Sequence, residues 1–462
     1  MAPSHYASYR FGPFELVGDK QLLLCDGKET ELKARAVAVL QVLLGHQNEL
    51  LTYDKLIVEV WASTHVARHT LVEHVRRIRE VLEKEGYRRY LETDKTRGYR
   101  FNASDLPGGV KTMLGTPASE AERLSIIAID QTNVHSGPLF RTSIKNCEEA
   151  LQTGGPNAEA YVTMAKNYVN LGMTGFCLEH PGEVFPKAKD AVDLAIHYFS
   201  ATPSAYAWRG LIALISDYAW DAAEKDFNQA LRRDPQDEYG NLFLALWQIS
   251  RGLFREGLKH VRIAAEVGFE RGMTVVTEPW CMLFAGQLSD ALRTGELVAE
   301  RFGNMAPVHD ILGHIYQAAG AEKKAIAEYK TALGIEFVPD PLGSLGYLYG
   351  KRGDRKAALR YLQLLREAEK EGRIAYMPAY YEALIFAGLN DKKRCLDALE
   401  KACEQKCDWL IFLKVEPRWA AVRNEKRFVR LLERVGLPAT SASWPSPDES
   451  PTHPPHVRIG RE

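Results

Sequence analysis

The sequence predicts a multidomain chain, with a small α+β unit at the N-terminus and then an all-α array of repeated helix pairs. Three observations carry that expectation. Residues 9–101 pass from alternating, turn-punctuated segments through short apolar-faced segments to an aromatic hairpin. Residues 103–124 are rich in Pro, Gly, Ser and Thr, as a linker is. Beyond them, to about residue 436, small residues recur with a period of 34. The expected divisions are therefore a first domain over 9–103, a linker over 104–124, a helical array over 125–436 and a disordered tail over 437–462.

Tyr9 to Leu32 alternates apolar and polar residues, with breaks at Gly12-Pro13 and Asp26-Gly27, which predicts a small antiparallel sheet. Ala36, Val37, Val39, Leu40, Leu43 and Leu44 mark a first helix with one buried face. Thr52 is placed to cap a second helix, Tyr53 to Trp61, with Lys55 at the third position and Leu56, Val60 and Trp61 facing inward. A third helix is expected over Arg68 to Lys84. Its apolar stripe is Leu71, Val75, Ile78 and Leu82, and between those residues His69, Thr70, Glu73, His74, Arg76, Arg77 and Arg79 project sideways and outward. Arginines on the exposed side of one short helix suit a major groove, where they reach guanine bidentately or clamp phosphate. Tyr90 to Thr93 and Tyr99 to Phe101 then read as two strands. Asp94 to Gly98 is the turn between them, with Gly98 giving backbone freedom.

This order resembles the winged-helix DNA-binding domain of the OmpR/PhoB type. That family opens on a small sheet, here YRFGPFELVGDKQLLLCDGKETEL, continues through three helices and ends on a wing with a GYRF-like strand. The resemblance covers about a fifth of the chain. It implies double-stranded DNA as partner, with the third helix in the major groove and the wing at the adjacent minor groove. Carried over residue by residue, Arg77 and Thr70 fall where bases or the groove wall are reached. Arg68, His69, His74, Arg76 and Arg79 belong to the same interface, the last three nearer the phosphates. Glu73 stands where the family often has an apolar residue, so base preference should differ there. Lys95 aligns with the arginine that usually enters the minor groove, and Arg97 lies two residues on, so both are candidates. Trp61 matches a tryptophan the family keeps in its core.

The array is read from columns of small residues. Ala223, Gly257, Ala291 and Ala325 are each 34 apart, as are Ala230, Ala264, Val298 and Ala332 and also Gly252, Gly286 and Gly320. The next unit slips by one, to Gly353, Ala358 and Leu365. Small residues at two places per period let antiparallel helices approach closely, and the glycine column sits where one helix turns into the next. The period and columns resemble tetratricopeptide repeats. Residues 139–199 look like degenerate copies, interrupted by the long break Phe176 to Gly182. Pro279 stands where a first helix should carry a small residue, which predicts a bent or divergent repeat. Phe412 to Pro438 resembles the closing cap of such arrays. Stacked helix pairs create a concave surface that typically binds a peptide or protein, and Trp247, His314, Tyr316 and Tyr349 are its candidate lining, with packing as the alternative for each.

Composition narrows the function. Hydrophobic content of 46% and a net charge of -1 describe an ordinary globular protein, so any nucleic-acid binding must use a local patch. Residues 1–103 carry sixteen basic against fourteen acidic side chains, a net of +2. Seven dispersed cysteines without a CxxC pair predict reduced thiols and no metal site, and no segment has the length and apolarity of a membrane span. Phosphate-binding loop, zinc-protease and serine-hydrolase signatures are missing, so neither an enzyme nor a cofactor is expected. The layout resembles ToxR/HilA-like transcriptional regulators without a membrane anchor. It implies a cytoplasmic protein whose array mediates protein interaction, self-association or signal input, with RNA polymerase a further candidate partner. A scaffold tethered to DNA and a ligand-sensing regulator are the alternatives.

Overall fold

The computed structural model describes the chain apart from residues 1–7, 18–21, 54, 57–59, 61–67, 95–96, 105, 114–123, 126, 130–136, 269–273 and 439–462. It divides into two compact units, Met1–Glu120 and Ala121–Glu462.

The first unit has two sheets. Strands β1 (Ser8–Phe11), β2 (Phe14–Val17), β3 (Leu22–Cys25) and β4 (Lys28–Glu29) form an antiparallel meander in register Phe11↔Phe14, Phe14↔Cys25 and Cys25↔Lys28. Helix α1 (Ala34–Gly45) follows, then β5 (Leu51–Thr52). Helix α2 (Arg68–Glu83) leads through a single 3-10 turn to the hairpin β6 (Leu91–Asp94) and β7 (Gly98–Phe101), and β5 pairs with β7. Between β5 and α2 the second helix is described only in part. Its cap is present, with the Lys55 amide donating to Thr52 Oγ1 at 3.1 Å.

Alternation puts Tyr9, Phe11, Phe14, Leu16 and Leu23 inside, against Leu40 and Leu44 of α1, Val75 and Ile78 of α2, and Phe101 of the hairpin. Phe11 joins the two sheets, stacked on Phe14 and edge-on to Phe101, each at 5.3 Å between ring centroids. Trp61 lies outside the described residues.

The structure extends this unit past the expected start of the linker. Leu106 is buried in the same core, and a further strand, β8 (Lys111–Met113), pairs antiparallel with β1 in register Tyr9↔Thr112. An edge strand only three residues long leaves little sequence signal amid Pro and Gly. The tail shifts likewise, because Leu437 is buried and its amide donates to the Leu432 carbonyl at 2.9 Å.

The second unit is a stack of helix pairs. After α3 (Gly137–Gly154), α4 (Ala158–Gly172) and α5 (Pro181–Tyr198) come α6 (Pro203–Asp217), α7 (Trp220–Arg233), α8 (Glu238–Arg251), α9 (Phe254–Gly268), α10 (Thr274–Phe284) and α11 (Leu288–Phe302). Then follow α12 (Ala306–Ala318), α13 (Glu322–Ile335), α14 (Pro339–Lys351), α15 (Arg355–Lys370), α16 (Ala379–Gly388), α17 (Lys392–Glu404) and α18 (Lys426–Val435). The alanine columns are fully buried at the helix contacts, and a Cβ on Gly257 would come within 2.7 Å of the Ile249 side chain. Gly252, Gly286, Gly320 and Gly353 all take left-handed φ, between +73° and +86°. The amide after each donates five residues back, as Leu253 does to Gln248 and Ala321 to Tyr316, both at 2.8 Å. That pattern ends a helix on glycine. Pro279 lies within α10, which continues as a helix on both sides of it.

Two kinds of helix alternate. In α15 only Ala358, Leu362, Leu365 and Ala368 of sixteen residues are buried, one stripe facing the array. In α16 nine of ten residues are buried. A helix buried all round is covered on two sides. The second cover is the chain's own C-terminal segment, which changes the reading of Phe412 to Pro438 as an end cap. From Cys407 onward the chain runs back along the first helices of the pairs. Trp409 packs on Trp280 and Phe412 stacks on Phe284, both at 5.0 Å, and Trp419 meets Tyr380 edge-on at 5.3 Å. Asp408 accepts from the Thr174 amide at 2.8 Å, and Trp220 Nε1 donates to the Val435 carbonyl at 2.6 Å. The long break at 176–182 has a related use, since Ala375 donates to the Cys177 carbonyl at 2.6 Å and His180 stacks on Tyr376 at 5.1 Å. The early pairs thus meet the late ones around a filled interior. Trp247, His314 and Tyr316 are buried, His314 at the border of a cavity beside Trp280 and Arg418, and Tyr349 stacks on Tyr361 at 5.6 Å. No described helix is long and apolar enough to cross a membrane.

Candidate nucleic-acid interface

Helix α2 buries Leu71, Val75, Ile78 and Leu82 against the core, which turns Glu73, Arg76, Arg77 and Glu80 to solvent on the opposite face. These four form one exposed ion-pair network. Arg76 donates to Glu73 (Nε to Oε2, 2.8 Å) and to Glu80, and Arg77 Nε reaches Glu73 at 3.1 Å. Hydrogen bonding to Arg76 holds the Glu73 carboxyl down at about 2, and the same contact raises the Arg76 guanidinium. Exposed pairs of this kind contribute little to stability, so the arginines can exchange a carboxylate for a phosphate or a base at small cost. His74 is half-buried at the edge of the face. Arg68, His69 and Thr70 open the helix, and their side chains lie outside the described ones.

Arg79 is placed differently from the expectation of an outward phosphate contact. Its guanidinium turns toward the hairpin, where Nη2 donates to the Leu91 carbonyl at 2.8 Å and to Thr93 Oγ1, and it sits 5.7 Å over the Tyr99 ring. Burial pushes its pKa down. It braces the hairpin against α2, which fixes the angle between the two elements.

At the hairpin tip, the Arg97 side chain is 69% exposed and folded back on Asp94, Nε to Oδ2 at 2.7 Å. Lys95 lies outside the described residues. Gly98 belongs to β7, paired with Asp94 and Thr52. A Cβ there would fall 1.9 Å from the Leu51 carbonyl oxygen. Close approach of β5 therefore requires this glycine, in addition to the backbone freedom read from the sequence, since its φ is +155°.

Three exposed features were not singled out from sequence. Val72 is 46% exposed beside Arg76, an apolar residue off the buried stripe and suited to a thymine methyl. Glu80 was legible as the i+4 partner of Arg76. Arg88 and Arg89 flank an open basic concavity with Arg79, lined also by Glu83, Gly86 and Leu91.

Residues 27–101 match the family described as "Transcriptional regulatory protein, C terminal". Over 100 residues the chain is 30% identical to the transcriptional regulator HilA of Salmonella typhimurium and 29% identical to that of Salmonella typhi. Each match covers 22% of this chain and 18% of the relative. Among solved structures, a tetratricopeptide repeat protein from Parabacteroides merdae is 11% identical over 58% of this chain and 99% of its own, at TM-score 0.39. PilF of Pseudomonas aeruginosa is 16% identical over 45% and 90%, at TM-score 0.34. The N-terminal unit thus carries a domain of the OmpR/PhoB-type transcriptional-regulator family, and the described helices from Gly137 to Val435 form a tetratricopeptide-like array.

Proposed function

We propose that this chain is a sequence-specific transcriptional regulator. In this reading α2 enters the major groove, with Arg77 and Thr70 reaching bases or the groove wall, His74 and Arg76 nearer phosphates, and Arg68 and His69 on the same interface. Arg97 and Lys95 approach the adjacent minor groove, and Arg79 holds the wing in place. The observation that carries the reading is the exposed Glu73–Arg76–Arg77–Glu80 face opposite a fully buried stripe, with the wing fixed beside it by Arg79. Arginine contacts to bases and phosphates would separate sequence reading from general attraction. The array then links protomers or receives a protein, RNA polymerase among the candidates. Its inner face is filled by the chain's own C-terminal segment, so that partner would use the outer helices or the ends of the stack.

The test is footprinting of the full chain on genomic fragments across a salt series. Protection of spaced half-sites that persists as salt rises supports the regulator. Uniform coverage that vanishes with salt contradicts it. Replacing Arg97 by alanine should reduce the salt slope by about 0.9 if it neutralises one phosphate, and an unchanged slope would remove the wing from the interface.

A further inference from the structure

Beneath the C-terminal segment, Asp310 and His314 lie one turn apart on α12 and face Asp340 at the start of α14. His314 Nε2 is 3.2 Å from Asp340 Oδ1 and 3.6 Å from Asp310 Oδ1. His314 is 4% exposed, and neither its Nε2 nor Asp310 Oδ1 makes an aligned hydrogen bond.

The other ring nitrogen decides what Nε2 must carry. Tyr329 donates its hydroxyl hydrogen to Gln317 Oε1 at 3.1 Å, so it can only accept from His314 Nδ1 at 3.2 Å. Nδ1 therefore holds a hydrogen. A bare lone pair on Nε2 would face two carboxylate oxygens at close range, which is repulsive. A proton or a metal cation relieves it. A proton brings one positive charge to two carboxylates, one half-buried and one buried, and a divalent ion brings two. Arg418 touches none of the three directly: Glu416 engages it bidentately, at 2.9 and 2.8 Å, and its remaining nitrogen donates to Ser344 Oγ, which donates to Asp340 Oδ1 at 3.0 Å.

The spacing suits a metal. Bonds of about 2.0–2.2 Å at tetrahedral angles put neighbouring donors roughly 3.3–3.5 Å apart, and the two imidazole–carboxylate separations bracket that range. The ring is held edge-on to Trp280 at 4.8 Å and to Tyr329 at 5.3 Å. The Tyr329 contact is the outer-shell hydrogen bond that a metal-binding histidine needs. A cavity of about 210 Å³ bordered by Trp280, His314, Tyr347 and Arg418 lies on one side of the histidine.

We propose that Asp310, His314 and Asp340 bind one divalent transition-metal ion of the zinc class, which fastens α12 to α14 under the C-terminal segment.

The test uses the full chain, stripped with chelator and titrated with zinc chloride alone. One equivalent should bind and raise the melting temperature. Asp310→Asn, which preserves shape, should weaken binding at least tenfold, and Tyr329→Phe should weaken it about 10- to 100-fold. Should either variant fail to fold, cobalt loading of the wild-type chain decides. A spectrum without thiolate charge transfer supports the site. Failure to bind, equal binding by Asp310→Asn, or a thiolate band from one of the cysteines would each overturn it.

Discussion

The exposed face of α2 and the filled interior of the array use the same residue types to opposite ends. On α2, two arginines and two glutamates pair in water, with side chains 48–61% exposed. In the array Arg418 and Glu416 pair with both side chains 4% exposed. The first network is weak because water competes for every partner. The second must be complete, because an uncompensated buried charge is expensive. Exchange of partners on DNA would need the first kind, and a stack that closes around its own segment 407–437 needs the second.

The largest effect expected from this contrast is at Arg418. Replacing it by methionine keeps the stem but strands the Glu416 carboxylate, which should cost the array about 3–5 kcal/mol. Denaturant unfolding of the full chain, followed by an array-specific probe, measures it. Adding Glu416→Leu should recover most of the loss. A single variant as stable as wild type would mean that the segment is not seated on the inner helices.

Next is Arg79, between the two extremes. Its hydrogen bond to Leu91 is half-buried, that to Thr93 is exposed, and both are charge-assisted. Arg79→Ala should therefore loosen the wing from α2 and lower affinity for specific DNA by about 1.5–3 kcal/mol, while the fragment 1–120 remains folded by circular dichroism. A loss confined to the salt slope, with base preference intact, would return Arg79 to the phosphate role read from its sequence position.

Sequence made some of this legible and hid the rest for physical reasons. The Leu71-Val75-Ile78-Leu82 stripe, the Thr52 cap and the glycine column are local or periodic, and each appears in the structure where its spacing indicated. The packing of Trp409 on Trp280 or of Trp220 on Val435 joins residues far apart in the chain. Such pairs leave no period in the sequence, so the inner face read as open. Helical phase gives only the side of a helix, and Arg79 sits at the border where a long side chain can turn toward solvent or, as here, the hairpin. The DNA roles of the remaining α2 residues rest on the resemblance, and exposure alone does not distinguish base from phosphate.

Arg77 addresses that distinction. If it contacts a base, Arg77→Ala should cost about 1–3 kcal/mol on the specific site and relax preference at one position. Affinity for random duplex should change little. Equal losses on specific and random DNA would assign Arg77 to the backbone.

Glu73 should give the smallest change and the most informative sign. Its carboxylate sits between Arg76 and Arg77 on the face that would meet DNA, where it pairs both in the free protein and repels phosphate in the complex. Glu73→Gln removes that repulsion and frees both guanidinium groups. If Glu73 makes no base contact, affinity should rise roughly two- to fivefold on every sequence at low salt, and the gain should fade as salt screens it. Acidification should not imitate the substitution, because Arg76 keeps the carboxyl ionised down to about 2. A component from this group between pH 8 and pH 5 would therefore report that DNA has drawn the arginines away from it. If Glu73 instead accepts from a cytosine amine, Glu73→Gln should weaken sites with cytosine at one position and strengthen the others. A panel of duplexes varied at each base pair separates the two outcomes, and in doing so shows whether the exposed network only waits for phosphates or reads sequence through its acid as well as its bases.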